Sequence, residues 1–378
     1  MRSSRLLIVV GLAFAVIAGA CAAEPAGEFT FVQLSDIHWG FNTPSVNPDF
    51  RGTLAKTIDI INGLNPQPDF IVCTGDLTHT TDNRAERKRR MLELRQQLKA
   101  LKVKDIRFLP GEHDAALDTG AVYREVFGAS YYSFDHKGVH FVALDNVSRP
   151  LANVDDEQLQ WLLGDLKKQD PNLARVVVLT HRPLFDLYPD WDWWTRDAAK
   201  VTAALVPFDN VPVFYGHIHQ NNDHIEGTVR QHAARGMMYP LPAPGSLPKK
   251  APMPWDSLQP YRGLGFRLVK VQLDPPGYVL TEYAADEPTP VVSITARKFA
   301  FTPDQVTLKA GAPAIIELTS LDRQHGFACP GLGIDAVVDP GVIKQVRVTN
   351  PKPGLYPFHC SIFCGEGHSN MTGKLIVR

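Results

Sequence analysis

Apolar positions beyond Phe29 come in short dense runs rather than at even intervals. FTFVQL (29–34), DFIVCT (69–74), IRFLP (106–110), RVVVLT (175–180) and VPVFY (211–215) are rich in β-branched and aromatic residues, which predicts strands. The stretches between them follow a different period. Met91, Leu94, Leu98 and Leu101 recur at helical spacing within 84–101, as do Leu159, Leu162, Leu163 and Leu166 within 156–168, so each predicts a helix with one buried face. YYSFDHKGVHFVALD (131–145) predicts a hairpin turning at Lys137-Gly138. Strands alternating with helices from Phe29 to Ala285 are the pattern of a layered α/β fold.

The pattern changes after Asp286-Glu287-Pro288-Thr289-Pro290. VVSITARKF, QVTLKAG, AIIELTS, KQVRVT and GKLIVR follow with Gly and Pro between them and no helical period, which predicts a small β-sandwich over 291–378. The expected division is an α/β domain at 28–286, a linker at 287–290 and the sandwich at 291–378. The first residues read as an export signal. Arg2 and Arg5 precede an apolar run, Leu6 to Ala20, shorter than the ~20 residues that span a bilayer, and small residues follow it, so 1–23 is expected to be cleaved and the protein exported to the periplasm. Ala18-Gly19-Ala20-Cys21 offers lipid attachment at Cys21 as an alternative. No later segment reads as transmembrane.

With 378 residues, 44% hydrophobic and 21% charged, the chain can build more than one core, which excludes wholesale disorder and a collagen-like rod. Lys and Arg number 39 against 40 Asp and Glu, so no bulk positive charge supports a general nucleic-acid partner. The basic run Arg87-Lys88-Arg89-Arg90 lies on the helix that carries Met91 and the leucines and reads as a solvated face. Of five cysteines, Cys73 lies in an apolar run and Cys329, Cys360 and Cys364 crowd near the end of the chain. In an oxidising compartment a thiolate site there needs a metal or geometry to protect it.

Candidate chemistry follows the strands. Asp36-Ile37-His38 comes after the first, Gly75-Asp76 after the second, Gly111-Glu112-His113-Asp114 after the third, and His181 and Gly216-His217-Ile218-His219 after two more. Loops at the C-terminal ends of strands converge on one crevice, and Asp and His suit a pair of divalent ions that a single carboxylate can bridge.

These blocks resemble those of the calcineurin-like metallophosphoesterases, D-x-H, G-D, G-N-H-[DE], H and G-H-x-H, over residues 29–285. The resemblance implies a layered β-sandwich flanked by helices, with manganese, iron or zinc in a two-metal site. Asp36, His38, Asp76 and His219 would hold one ion, and Asp76, Glu112, His181 and His217 the other. It implies further that His113 contacts the phosphate and serves as general acid, that Asp114 orients it, and that a water acidified by the ions attacks the phosphoryl group. Glu112 stands where the family has Asn. An added negative charge there should tighten metal binding and blunt Lewis acidity. His79 reads as support for the ligands. Trp191, Trp193, Trp194 and the proline-rich stretch 237–262, with Lys249, Lys250 and Arg262, predict either a rim for an organic phosphate ester or nucleotide, or a dock for the C-terminal domain.

A second constellation closes the chain. Cys360-x-x-x-Cys364-x-x-x-His368-x-x-Met371, with His325 upstream, sets thiolates, imidazoles and a thioether on a β-sandwich, the donors of copper electron-transfer sites. A disulfide would leave His368 and Met371 without a role, and zinc is the alternative ion, for which Met is a poor ligand. The spacing resembles the dinuclear CuA centre of cytochrome c oxidase subunit II and nitrous-oxide reductase. That resemblance implies an all-β, cupredoxin-like Greek-key sandwich in which Cys360 and Cys364 bridge two coppers, His325 and His368 are terminal, and Met371 and the Ile362 carbonyl are axial. Cys329, outside the run, reads as packing. The expected function is an exported phosphate mono- or diesterase acting on a small phosphate ester, with an accessory copper domain served by a redox or copper-delivery partner. The alternative is a copper electron-transfer or carrier protein whose N-terminal domain only binds a phosphorylated ligand.

Overall fold

The computed structural model describes residues 26–378 apart from 173–174, 258, 274–275, 286–290 and 349–350. The expected signal peptide, Cys21 and the linker 287–290 lie outside the described residues.

The chain first lays down β1 (Phe29–Leu34), α1 (Phe50–Gly63), β2 (Phe70–Thr74), α2 (Arg84–Leu98), β3 (Ile106–Leu109), α3 (Glu112–Ala115) and α4 (Ala121–Phe127). The hairpin β4 (Tyr132–His136) and β5 (Val139–Ala143) follows, then α5 (Asp156–Leu166), β6 (Arg175–Leu179), α6 (Ala198–Leu205) and β7 (Val211–Tyr215). Two more hairpins complete this part: β8 (Asn222–Glu226) with β9 (Val229–Ala233), and β10 (Gly265–Leu273) with β11 (Pro276–Ala284). One sheet runs β11-β10-β1-β2-β3 and the other β4-β5-β6-β7-β9-β8, with β1, β2 and β3 parallel in the first and β5, β6, β7 and β9 parallel in the second.

The sheets meet through aromatic side chains. Phe31 stacks on Phe70 at 5.1 Å and meets Phe141 and Phe214 edge-on at 5.7 and 5.5 Å. On the far side of the first sheet, Val32, Leu34 and Cys73 join Leu54 and Ile58 of α1 and Met91 and Leu94 of α2 in one core. Val142, Val176 and Val178 do the same with Leu162 of α5 and Val201 of α6. Central strands are thus covered on both faces, which is why every residue of FIVCT is buried instead of every second one. The fold is a helix–sheet–sheet–helix sandwich.

Several local expectations change. Leu101 is buried beyond the end of α2, and Leu163 of α5 is 41% exposed, because α5 covers its sheet with a narrower stripe than the four leucines imply. The strands β8 to β11 escape the pattern reading. In β10 the cause is Arg267, a fully buried guanidinium that donates to Glu282 and to the Ala233 carbonyl and so interrupts an otherwise apolar run. Arg87 and Arg90 are not a solvated face. Arg87 is buried, bonded to the Thr81 carbonyl and Asp118, and Arg90 donates to the His79 carbonyl, so both brace the loop after β2. Trp191 and Trp193 do not form a rim, for they are buried with Tyr215 and Ile218.

The C-terminal part contains β12 (Val291–Arg297), β13 (Ala300–Thr302), β14 (Gln305–Leu308), β15 (Ala314–Ser320), β16 (His325–Cys329), β17 (Ile334–Val338), β18 (Ile343–Val348), β19 (Gly354–His359) and β20 (Thr372–Val377). They form two sheets, β13-β12-β15-β18 and β14-β20-β19-β16-β17, closed over one core. Strict in–out alternation in β14 and β17 shows that each sheet buries a single face. Among the described residues no helix is long and apolar enough to cross a membrane.

Candidate metal centres

All five sequence blocks of the α/β part leave the C-terminal ends of strands β1, β2, β3, β6 and β7 and meet in one crevice. The turns are sharp. Asp36, His38, Asp76, His217 and His219 all adopt positive φ, between 44° and 67°, a region that non-glycine residues occupy only where surrounding contacts enforce it. Two motif glycines are required by space alone. A Cβ on Gly111 would lie 2.1 Å from the Asp76 nitrogen, and one on Gly216 would lie 1.8 Å from Ser35 Oγ.

Two groups of donor atoms line the crevice, Asp36, His38, Asp76 and His219 in one and Glu112, His181 and His217 in the other, and His38 also clusters with His79 and His113. His38 Nε2 and His219 Nε2 are 3.2 Å apart, and His219 Nε2 is 3.3 Å from Asp36 Oδ1. Asp76 Oδ2 is 3.5 Å from both His38 Nε2 and His181 Nε2, so it stands between the groups. In the second group Glu112 Oε2 is 2.9 Å from His181 Nε2, and Glu112 Oε1 is 2.7 Å from His217 Nδ1. Despite these approaches, Glu112 Oε2, His181 Nε2 and His217 Nδ1 are buried and make no hydrogen bond. Polar atoms that crowd together while pointing past one another are aimed at a common point, and oxygen and imidazole donors suit a divalent cation there.

Protonation follows from the surroundings. Burial drives His38 well below the ordinary imidazole range and holds His217 near about 4, so both are neutral. Burial acts upward on the Glu112 carboxyl, but His217, Arg182 and His181 outweigh it and keep the group well below the usual carboxylate range. His181 behaves oppositely, since Asp76 and Glu112 outweigh burial and push it up. Carbonyl groups orient the imidazoles: His181 Nδ1 lies 2.7 Å from the Thr74 oxygen and His219 Nδ1 2.7 Å from that of Tyr239, which directs each Nε2 into the crevice. His79 Nδ1 lies 3.4 Å from His38 Nδ1, on the side of that ring away from the crevice.

His113 stands at the mouth, 27% exposed, with Nε2 3.9 Å from Asp76 Oδ2. Asp114 does not touch it. The Asp114 carboxylate accepts from the backbone nitrogens of Leu77, Thr78 and Gly111 and from the Thr78 hydroxyl, tying the loop after β2 to α3. The orienting partner is instead Thr80, whose Oγ1 lies 2.6 Å from His113 Nδ1 and whose backbone nitrogen lies 3.3 Å from it. Tyr239 is a second residue that the motif reading missed. Its ring stacks on His38 at 5.1 Å and His219 at 4.5 Å, and its hydroxyl lies 3.4 Å from His38 Nε2. Only its place in a proline-rich stretch between β9 and β10 hinted at either role.

In the C-terminal part the Cys360 and Cys364 sulfurs lie 3.9 Å apart. His325 Nδ1 is 3.9 Å from Cys360 Sγ, and His368 Nδ1 is 3.6 Å from Cys364 Sγ. Met371 Sδ stands 4.0 Å from Cys364 Sγ and the Ile362 carbonyl oxygen 3.1 Å from Cys360 Sγ. Asp322 accepts from His325 Nε2 at 2.8 Å, which turns Nδ1 toward the sulfurs. Both cysteines are free and buried, and two thiolates, two imidazoles and a thioether form a donor set suited to copper. Cys329 is buried in the sandwich core, where its sulfur approaches the Tyr356 carbonyl oxygen at 4.0 Å.

Residues 29–221 match the calcineurin-like phosphoesterase family, and residues 278–377 match the cupredoxin-like domain. The chain belongs to the calcineurin-like phosphoesterase family and carries a cupredoxin-like domain behind it. It is 32% identical over 225 residues to the serine/threonine-protein phosphatase CPPED1 of Bos taurus, covering 52% of this chain and 71% of that one. Over 87 residues, 23% of this chain, it is 37% identical to cytochrome c oxidase subunit 2 of Thermus thermophilus. The chain spans 64% and 52% of the two oxidase subunits it matches. A solved dimetal phosphatase from Danio rerio aligns with 70% of this chain and 98% of its own, at 16% identity and a TM-score of 0.48.

Proposed function

We propose that the protein is exported and hydrolyses a phosphate mono- or diester at a centre of two divalent ions, with its copper domain as an accessory. The observation that carries this reading is the set of donors that crowd at 2.7–3.5 Å, among which Glu112 Oε2, His181 Nε2 and His217 Nδ1 are buried atoms outside any hydrogen bond. Asp36, His38, Asp76 and His219 would hold one ion, and Glu112, His181 and His217, with Asp76 shared, the other. Manganese, iron or zinc in this set would supply Lewis acidity, acidifying a water and neutralising phosphoryl charge.

The surrounding residues do the rest. A backbone N–H can only donate, so the Thr80 nitrogen makes His113 Nδ1 an acceptor and leaves the proton on Nε2. Nε2 faces the crevice, where it can bind a phosphoryl oxygen and pass its proton to the departing oxygen. Burial keeps the Tyr239 hydroxyl protonated, so it is a second donor on the same side. A panel of aryl phosphate mono- and diesters, offered to protein loaded with manganese, iron or zinc, tests the reading. Turnover is expected, and His113→Ala should reduce it by on the order of a hundredfold or more while metal content persists.

For the C-terminal domain we infer a dinuclear copper site that Cys360, Cys364, His325, His368, Met371 and the Ile362 carbonyl would hold, which would supply one-electron chemistry or copper to a redox or copper-delivery partner. Glu112 favours one alternative. Its charge tightens ion binding at the expense of Lewis acidity, which suits an N-terminal domain that binds a phosphorylated ligand without cleaving it. A fully metal-loaded protein that binds inorganic phosphate but hydrolyses no ester in the panel would establish that alternative.

A further inference from the structure

We propose that the cavity beside His219 receives the leaving group of the ester and selects one bearing a second anionic charge on a flat, apolar body. This deepens the phosphoesterase reading and rests on it.

The cavity measures about 490 Å³, within the ~300–1,000 Å³ typical of small-molecule sites. His219 forms part of its wall while directing Nε2 toward Asp36 and His38, so the cavity adjoins the crevice in which the ester bond would break. Arg235, two positions beyond the end of β9, is held at this junction by its neighbour. Gly236 presses so closely on His219 that a Cβ there would lie 2.8 Å from Nδ1. Leu241, Met253 and Trp255 from the proline-rich stretch supply apolar walls, and Arg262 supplies a second guanidinium.

The two arginines differ from the buried arginines in their partners. Arg87 is paired with Asp118, Arg182 with Asp192 and Arg267 with Glu282. Among the described residues neither the Arg235 nor the Arg262 guanidinium has a hydrogen-bond or ion-pair partner, and Arg235 is partly buried. Asp256 also lines the cavity, so two arginines and one carboxylate residue border it. A partly desolvated guanidinium gains most from a carboxylate or phosphate that it can bind through two parallel hydrogen bonds. An indole and a thioether beside it suit a ring. The shared chemistry is therefore an anionic group set on an aromatic or similarly flat leaving group.

The test compares phenyl phosphate with 4-carboxyphenyl phosphate and 1,4-phenylene bisphosphate on the full chain loaded with manganese. The doubly anionic esters should be favoured in kcat/KM by on the order of tenfold, and the two arms decide whether carboxylate or phosphate fits better. Arg235→Met should collapse the preference, chiefly through KM, and Arg235→Lys should keep part of it. Equal kcat/KM for the three esters, or a preference that survives Arg235→Met, overturns the proposal. Hydrolysis of none of them defeats the phosphoesterase reading instead. Calorimetric titration with 4-hydroxybenzoate against phenol then tests the cavity alone: stronger binding of 4-hydroxybenzoate that Arg235→Met abolishes sustains it, and no preference over phenol overturns it.

Discussion

Arg182 Nε lies 3.7 Å from Glu112 Oε2, and the same guanidinium donates to the Asp192 carboxylate and backbone carbonyl at 3.1 Å. The carboxylate that replaces the family's Asn thus arrives with a buried cation beside it. Glu112→Asn removes the negative charge and leaves Arg182 in place, so the second ion then meets a more positive wall. Unit charges about 4 Å apart interact by about 4 kcal/mol at an effective dielectric of about 20, so affinity for that ion should fall at least tenfold. Metal titration followed by elemental analysis reads the change. Hydrolysis should persist or rise once the ion is supplied in excess, and lost activity at full occupancy would assign the carboxylate a catalytic role.

Thr80 holds His113 through a hydroxyl and a backbone nitrogen. Thr80→Val removes only the hydroxyl. The imidazole then loses its shorter partner, and kcat should drop by on the order of tenfold with little change in KM. Thr80→Ser should restore kcat. Unchanged kcat in Thr80→Val would exclude the orienting role.

Tyr239→Phe keeps the ring that stacks on His38 and His219 and deletes the hydroxyl 3.4 Å from His38 Nε2. The thermal midpoint and metal content should therefore hold. The expected loss is in kcat, on the order of tenfold to a hundredfold, the range for one donor aimed at developing charge.

Copper-loaded, half-oxidised protein should give a seven-line hyperfine pattern in its paramagnetic spectrum, because two thiolates 3.9 Å apart would let a pair of coppers share one unpaired electron. Cys360→Ser should abolish it. A four-line spectrum with one copper per chain would exclude the dinuclear assignment. Asp322→Ala frees the His325 ring at Nε2, and copper affinity should fall by about 10–100-fold, the usual effect of losing a partner that orients a ligand.

The Asp69 carboxylate joins the two sheets near the start of β2, accepting from the Thr30 nitrogen, His136 and Lys137. Burial acts upward on it, but Lys137 and Thr30 hold the group below its usual range. A depressed folded-state value means that the unfolded chain takes up this proton first, so its contribution to stability is present above about pH 4 and is lost as the pH falls below that. Asp69→Asn should flatten the acid limb of a denaturant-midpoint against pH plot. An unchanged slope would show that the pairing contributes nothing.

How far the chain could be read depended on how local each feature was. The five candidate metal-site blocks were legible because each is a short turn at a strand end that carries its one to three donors next to one another, with an adjacent glycine in three of them. The copper run was legible for the same reason, with Cys360, Ile362, Cys364, His368 and Met371 all in one loop between β19 and β20. The inner strands announced themselves because burial on both faces makes most of their positions apolar, so that one buried amide, Gln33 in β1, did not hide the pattern. The buried guanidinium of Arg267 in β10 did hide it.

Other roles existed only after folding. Tyr239 faces His38 from 201 positions away, and Thr80 meets His113 from 33 positions away, so nothing in either local sequence marks them. Asp114 fits its motif but spends its carboxylate on three backbone nitrogens and the Thr78 hydroxyl, a choice set by the approach of two loops and not by composition. Arg235 and Arg262 read as ordinary surface cations until the fold placed them, unpaired, around one cavity. The sequence alone determined which donor types were present and on which turns, because a strand end constrains its own few residues. Only the tertiary structure decided which of those turns face each other, because long-range approach is settled by how the sheets pack and how their loops then fill the shared crevice.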